Sequence, residues 1–360
     1  MSKTMQEVFP MLRAREQVLE EIQNNKHVRK IFESWEVKHQ EEFLDICSGN
    51  RGVKVLYDAF FKEIMNPDVV PERLEELLSL ILQTKVKILK VLPNDSARIA
   101  AENSLLVLDI VVEMTDKSLA NVEVQRIGYM FPGQRSACYS SDLLLRQYKR
   151  VRSEKGKEFK YQDIKKVYTI VFLEKSTKEF HKLKDLYLHH SRQVFDTGLK
   201  LELLQEYVFI ALDNYLEKSQ NNSCKKRNRL EAWLTFLSDD RPEEILRLIE
   251  EYPEFKKLYD EVYEMCRNMG DFMGLFSEEL AILDSNTVEY MMDEMQREID
   301  EKKELLRQQS EQLSQQSEQL SQKDEELAAE RLLKSQVEAQ VKLAEAKIAQ
   351  LKEELAKLKK

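Results

Sequence analysis

Asp109 stands in the run LLVLDIVVEM, and Glu123, Val124 and Gln125 stand in the next run, NVEVQ, across the polar loop TDKSLA. Both runs are rich in Val, Ile and Leu and are bounded by turn residues, which predicts two β-strands. Residues two apart on a strand share a face, so Glu123 and Gln125 point one way while Val124 points into a core. If the two strands pair as a hairpin, Asp109 meets Glu123 at one spot. Two carboxylates beside a polar group form a cradle for a hard divalent cation such as Mg²⁺.

Spacing alone leaves a second reading open, a β-hairpin with polar residues on a solvent face. One detail weighs against it. Asp109 interrupts the apolar run SLLVLDIVV, the pattern of a strand buried on both faces. A carboxylate in such a strand is costly unless it is paired or metal-bound.

The chain around these residues has room for one large core and an extended appendage. It has 360 residues, 34% of them charged, with only 8 Gly and 7 Pro, which favours long regular elements. The net charge of −9 gives no global basic signature, although a local basic patch is compatible with it. Cys47, Cys138, Cys224 and Cys266 are far apart and show no CxxC spacing. That excludes a zinc ribbon, gives no disulfide framework and fits a reducing, cytoplasmic compartment. The N-terminus is amphipathic rather than signal-like, and no apolar run is long enough to span a membrane.

Residues 1–50 read as helices, and 53–65 and 71–83 as two more, the second with Pro71 in its first turn. β-like runs follow at 85–92, 104–114, 120–126, 164–173 and 207–212. A helical stretch at 134–155 lies between the third and fourth of these runs. Strand, strand, strand, helix, strand is an α/β signature, with a helix long enough for a crossover. From about 223 the pattern is helical to the end. The adjacent His189 and His190 would diverge on a helix and read as surface or packing residues.

The last segment carries a heptad repeat. Leu306, Leu313, Leu320 and Leu327 recur every seventh residue. Val337, Val341, Ala344, Ile348, Leu351, Leu355 and Leu358 continue in steps of four and three. Gln309, Gln316, Lys323, Glu330 and Lys334 fill the intervening core positions, and about seven heptads result. The pattern predicts a coiled coil, firmest at 337–358 where the core positions are apolar. A solvated single helix is the alternative.

The segment from Val53 to Phe172 resembles the PD-(D/E)XK nuclease family transposases, the recombination-promoting nuclease group. The resemblance is carried by YDAFFKEI at 57–64, LDIVVE at 108–113, NVEVQ at 121–125, GQRSACYSSDLLLRQYKR and KVYTIVFLE, and it extends to about residue 295. It implies a restriction-endonuclease-like α/β core, a mixed sheet flanked by helices, that hydrolyses DNA phosphodiester bonds with Mg²⁺ or Mn²⁺. It implies catalytic roles for Asp109, Glu123 and Gln125, with the cation held by Asp109, Glu123 and the carbonyl of Val124. The superfamily usually has Lys where Gln125 stands, so water would be oriented by an amide rather than activated by an amine. Asp58, Tyr139, Ser141 and Gln147 are accessory candidates.

The implied domains are a helical segment 1–50, a nuclease-like core 51–215, a helical region 216–294 and a coiled coil 295–360. Basic residues follow the motif, and Arg146, Lys149, Arg150 and Arg152 are candidates for the DNA backbone, with Tyr148, Phe159 and Tyr161 interleaved. A solvated helix end explains them equally. The expected protein is a metal-dependent endonuclease of mobile elements or recombination, homodimeric through its coiled coil. The alternative is a degenerate nuclease core serving as an interaction protein.

Overall fold

The computed structural model describes residues 4–92, 110–126, 132–221 and 226–358; Asp109 and Cys224 lie outside them. Residues Met1–Asp293 form one compact unit and Glu294–Lys360 a second. Six strands make one mixed sheet: β1 (Ile88–Leu92), β2 (Ile110–Met114), β3 (Leu119–Gln125), β4 (Val167–Leu173), β5 (Leu188–Ser191) and β6 (Gln205–Ala211). Their order is β1-β2-β3-β4-β6-β5. β1, β2 and β3 pair antiparallel, β3, β4 and β6 pair parallel, and β5 closes the far edge antiparallel to β6.

The helices in chain order are α1 (Met5–Val8), α2 (Arg15–Asn24), α3 (Lys26–Ser34), α4 (Val37–Ser48), α5 (Asp58–Ile64), α6 (Pro71–Leu82) and α7 (Pro132–Lys155). Then follow α8 (Lys178–His181), α9 (Leu212–Asn221), α10 (Arg229–Ser238), α11 (Pro242–Glu251), α12 (Phe255–Met265) and α13 (Met269–Leu358). α7 is the crossover that lets β3 and β4 run parallel. Local chemistry sets several boundaries. Pro71 opens α6, Asn228 and Glu231 form a capping box on α10, and Gly49 ends α4 at φ 75. A Cβ at Gly49 would meet Leu12 at 2.7 Å, so close approach and backbone both call for glycine.

Alternation along the strands divides the sheet into two unlike faces. Ile110, Val112, Ala120, Val122, Ile170, Phe172, Val208 and Ile210 join the main core, which also takes in the N-terminal helices and the start of α13. Phe9 against Tyr263 at 4.6 Å and Phe43 against Phe272 at 4.9 Å tie the two ends of this unit together. The other face, with Val111, Leu119 and Val167, packs under Tyr139 and Leu143 of α7.

Two expectations are corrected. His189 and His190 lie on β5, an edge strand, and not on a helix. The helix expected over 53–65 begins only at Asp58, because 53–57 turn before entering it. In the second unit α13 is helical, and Leu306, Leu313, Leu320, Val341 and Ile348 are all exposed. No helix among the described residues is long and apolar enough to cross a membrane.

Candidate active site

β3 places Leu119, Asn121, Glu123 and Gln125 on its α7 face by simple alternation. All four are buried, with Glu123 4% and Gln125 5% exposed. The polar residues of NVEVQ therefore do not face solvent, and the solvated hairpin reading fails. Val124 points the other way and packs on the main core. Opposite them in β4, Thr169 pairs with Asn121, Val171 with Glu123 and Leu173 with Gln125.

From above, α7 presents Ser136, Tyr139, Ser140, Leu143 and Gln147, a stripe at helical spacing. Two of these five are serines, so the helix meets the strand's polar residues with short hydroxyl side chains. Ser140 accepts a hydrogen bond from Gln205 Nε2 at 3.1 Å. Asn121 Nδ2 donates to Glu123 Oε1 at 3.1 Å, which orients the carboxylate.

What distinguishes this layer is unfinished hydrogen bonding. Asn121 Oδ1, both amide atoms of Gln125, Ser136 Oγ and Thr169 Oγ1 are buried with no hydrogen-bond partner among the described residues. Each such atom costs about 1–3 kcal/mol if it stays unmade, so the cluster is expensive for a purely structural core. The oxygens in this set suit water or an Mg²⁺-like cation, and the Gln125 amide N–H suits a phosphate oxygen. No group of three or more His, Cys, Asp and Glu suited to a metal is present among the described residues. A cation there would need a carboxylate from outside them as well as Glu123.

A second buried network starts immediately after Gln125. Glu174 N donates to Gln125 O at 2.8 Å. The Glu174 carboxylate takes Lys54 Nζ at 2.6 Å and Arg126 Nε at 2.9 Å, while Arg126 also pairs with Glu279 and lies 4.5 Å over the Tyr57 ring. Burial works to raise Glu174, but Lys54 and Arg126 outweigh it and hold the carboxyl below its usual range. Burial does raise Glu279, against the pull of Arg126. These pairings span 120 and 153 residues of sequence, and no local pattern announces them.

The accessory candidates are scattered. The Asp58 carboxylate pairs with Lys62 Nζ at 2.8 Å, one turn on in α5. Tyr139 is buried on the sheet-facing side of α7, its hydroxyl bonded by Arg135 Nε at 2.8 Å. Ser141 is on the exposed side of α7, 3.5 Å from Gln205 Nε2. Gln147 is committed to main chain, donating to Lys117 O at 3.4 Å and accepting from Lys165 N at 2.7 Å. Those contacts put it at the start of β3 and β4, the opposite end from Gln125.

Among the basic candidates, Arg146 pairs with Asp142 at 2.7 Å and Arg150 with the buried Glu113, which Lys117 also meets at 3.3 Å. Lys149 is exposed, and exposed Arg152 bonds the Tyr148 hydroxyl. Asn121, Ser136 and Thr169 belong to the polar layer but escaped the sequence reading. Extending the Glu123–Gln125 alternation one step back finds Asn121.

A mixed six-stranded sheet flanked by helices, with a buried Glu-x-Gln on its α7-covered face, is consistent with an α/β nuclease fold. A family model described as PD-(D/E)XK nuclease family transposase matches residues 55–289, well over half of the chain, and the chain belongs to that family. No curated protein and no solved structure matches it.

Proposed function

We propose that the chain is a metal-dependent endonuclease that hydrolyses phosphodiester bonds in DNA, in the setting of mobile elements or recombination. The observation that carries the reading is Gln125, buried beside Glu123 with both ends of its amide unpartnered among the described residues. Register supports the rest. Ile110 faces Val122 in the β2–β3 ladder, and Asp109 is the residue immediately before Ile110 in sequence as Glu123 is the one immediately after Val122.

The donor set fits a hard divalent cation, and Asp109, Glu123 and the Val124 carbonyl would hold it. Bound there, Mg²⁺ or Mn²⁺ would lower the pKa of water and offset charge at the scissile phosphate. Gln125 Oε1 accepts a hydrogen bond from the attacking water, and Nε2 donates one to a phosphate oxygen. An amide takes up no proton near neutral pH, so Gln125 orients water without deprotonating it. Asn121 fixes the Glu123 rotamer. Tyr139, with Arg135, stands on the same covering helix. Asp58, held by Lys62, is outside the proposed ligand set.

Residues 51–215 are the nuclease core of this reading, and 295–360 a coiled coil that makes the chain a homodimer with one site per DNA strand. The exposed Leu313, Leu320 and Ile348 at heptad positions support that pairing. A reducing cytoplasmic setting belongs to the same reading, supported by the free thiols of Cys47, Cys138 and Cys266. Supercoiled-plasmid nicking tests it. Wild-type chain is expected to nick with Mg²⁺, and Asp109→Ala and Glu123→Ala to lose that activity. Equal nicking by all three proteins would refute the site, and no nicking by any would favour a degenerate core with an interaction role.

A further inference from the structure

The far end of α7 carries a second feature. A groove of about 910 Å³ opens where β3 and β4 begin, lined by Leu144, Leu145, Tyr148, Tyr161, Lys165 and Tyr168 among others. Its rim is an aromatic cluster. Tyr148 and Tyr161 lie nearly parallel, at 14° and 6.2 Å between ring centroids, and Phe159 packs edge-on to each at 5.5 Å. The cluster exists because the chain reverses after α7 at Gly156, whose φ of 53 suits glycine, and returns Phe159 and Tyr161 to Tyr148. Tyr161 remains 77% exposed.

Charge is concentrated in the same place. Residues 146–166 hold nine Lys and Arg against three Asp and Glu, in a chain of net charge −9. Some of these charges are already committed: Arg150 to Glu113, Lys155 to Asp163 at 2.5 Å and Lys166 to Glu206 at 2.8 Å. Lys149 and Lys157 have no carboxylate partner among the described residues, whereas Lys160 donates its backbone N–H to Asp163 at 2.8 Å and Lys165 Nζ donates to the Gln162 carbonyl at 3.2 Å. Arg152 lies 5.5 Å over the Tyr148 ring. An exposed tyrosine ring flanked by lysines matches one chemistry well, flat unpaired bases on a polyanionic backbone. Duplex DNA hides its base faces in the stack and would use only the lysines. An acidic peptide would use the lysines and leave Tyr161 exposed.

We propose that this cluster is a single-stranded DNA site, in which an unpaired base stacks on Tyr161 and Lys157, Lys160 and Lys165 contact phosphates. The site rests on the nucleic-acid substrate of the proposed function and not on its cleavage chemistry. It lies at the opposite end of β3 from Gln125, about 20 Å away along the strand. A strand held there is anchored outside the cleavage site.

The test is fluorescence anisotropy of a short labelled oligo-dT with the full chain in EDTA, where binding is read without cleavage. Wild-type chain is expected to bind oligo-dT more tightly than a duplex or an RNA strand of equal length. Tyr161→Ala should weaken oligo-dT binding about tenfold, and Tyr161→Phe should stay within about twofold, since stacking needs only the ring face. The double variant Lys157→Gln, Lys160→Gln should keep the single-strand preference and flatten the salt dependence by about one unit of slope. Unchanged affinity in Tyr161→Ala would overturn the proposal, as would duplex, RNA or poly-glutamate binding as tight as oligo-dT. Nicking without oligo-dT binding overturns this site and spares the cleavage reading. Tyr161-dependent oligo-dT binding without nicking does the reverse.

Discussion

β3 is one strand of 7 residues whose two faces follow opposite rules. On one face Ala120 and Val122 are fully buried in the main apolar core, with Val124 packed at its margin. On the other, Asn121, Glu123 and Gln125 are just as inaccessible, yet four of the five orphaned polar atoms around them come from Asn121, Gln125 and Thr169 within the sheet. A sheet that needed only to fold would repeat the first face on the second, because burying an unpartnered amide costs what a leucine would gain. The polar face carries a cost in stability that the apolar face does not, and the proposed cation site would account for it.

The comparison breaks most sharply if the faces are exchanged. Val122→Asp places an unpaired carboxylate in the apolar core and is expected to cost about 4 kcal/mol or more, leaving little folded protein by circular dichroism. A soluble, folded Val122→Asp would show that the two faces do not differ as described.

A smaller effect tests the charged network that closes the strand's end. Glu174 has a folded pKa below the usual glutamate value of 4.5, with burial opposing and Lys54 and Arg126 prevailing. A depressed acid stabilises above its unfolded pKa, and that contribution is lost as pH falls through the folded value. Glu174→Gln should therefore cost about 3 kcal/mol near neutral pH, and its gap from wild type should close below pH 4.5. A gap in melting temperature that is constant from neutral to acid pH would contradict this.

The smallest effect has the opposite sign. Gln125→Leu removes two orphaned buried atoms and is expected to leave stability unchanged or raise it by about 1 kcal/mol, while plasmid nicking falls. A loss of stability would mean that the Gln125 amide is satisfied after all and that the polar face is structural.

What the sequence made legible follows the range of each interaction. The alternation around Glu123 and Gln125 located β3, and 134–155 lies within Pro132–Lys155, because both patterns repeat within a few residues. β5 was missed because Leu188–Ser191 is a short edge strand with two histidines and no alternation of its own; pairing with β6 makes it a strand. The burial of Glu123 and Gln125 depends on α7 returning over the sheet, which strand periodicity alone cannot convey. The basic run was visible as composition, but the pairing of Arg150 with Glu113 requires the fold. Likewise Arg126, Glu174, Lys54 and Glu279 meet only through tertiary structure.

Metal binding to the intact chain tests the central claim most directly, because it asks what the polar face is for without relying on turnover. Mn²⁺ titrated into the full chain and followed by electron paramagnetic resonance should bind one ion per chain in wild type and in Asp58→Asn. Binding should be lost in Glu123→Ala and Asp109→Ala, with both variants folded by circular dichroism. Mn²⁺ binding of equal strength and stoichiometry in all four proteins would contradict the account.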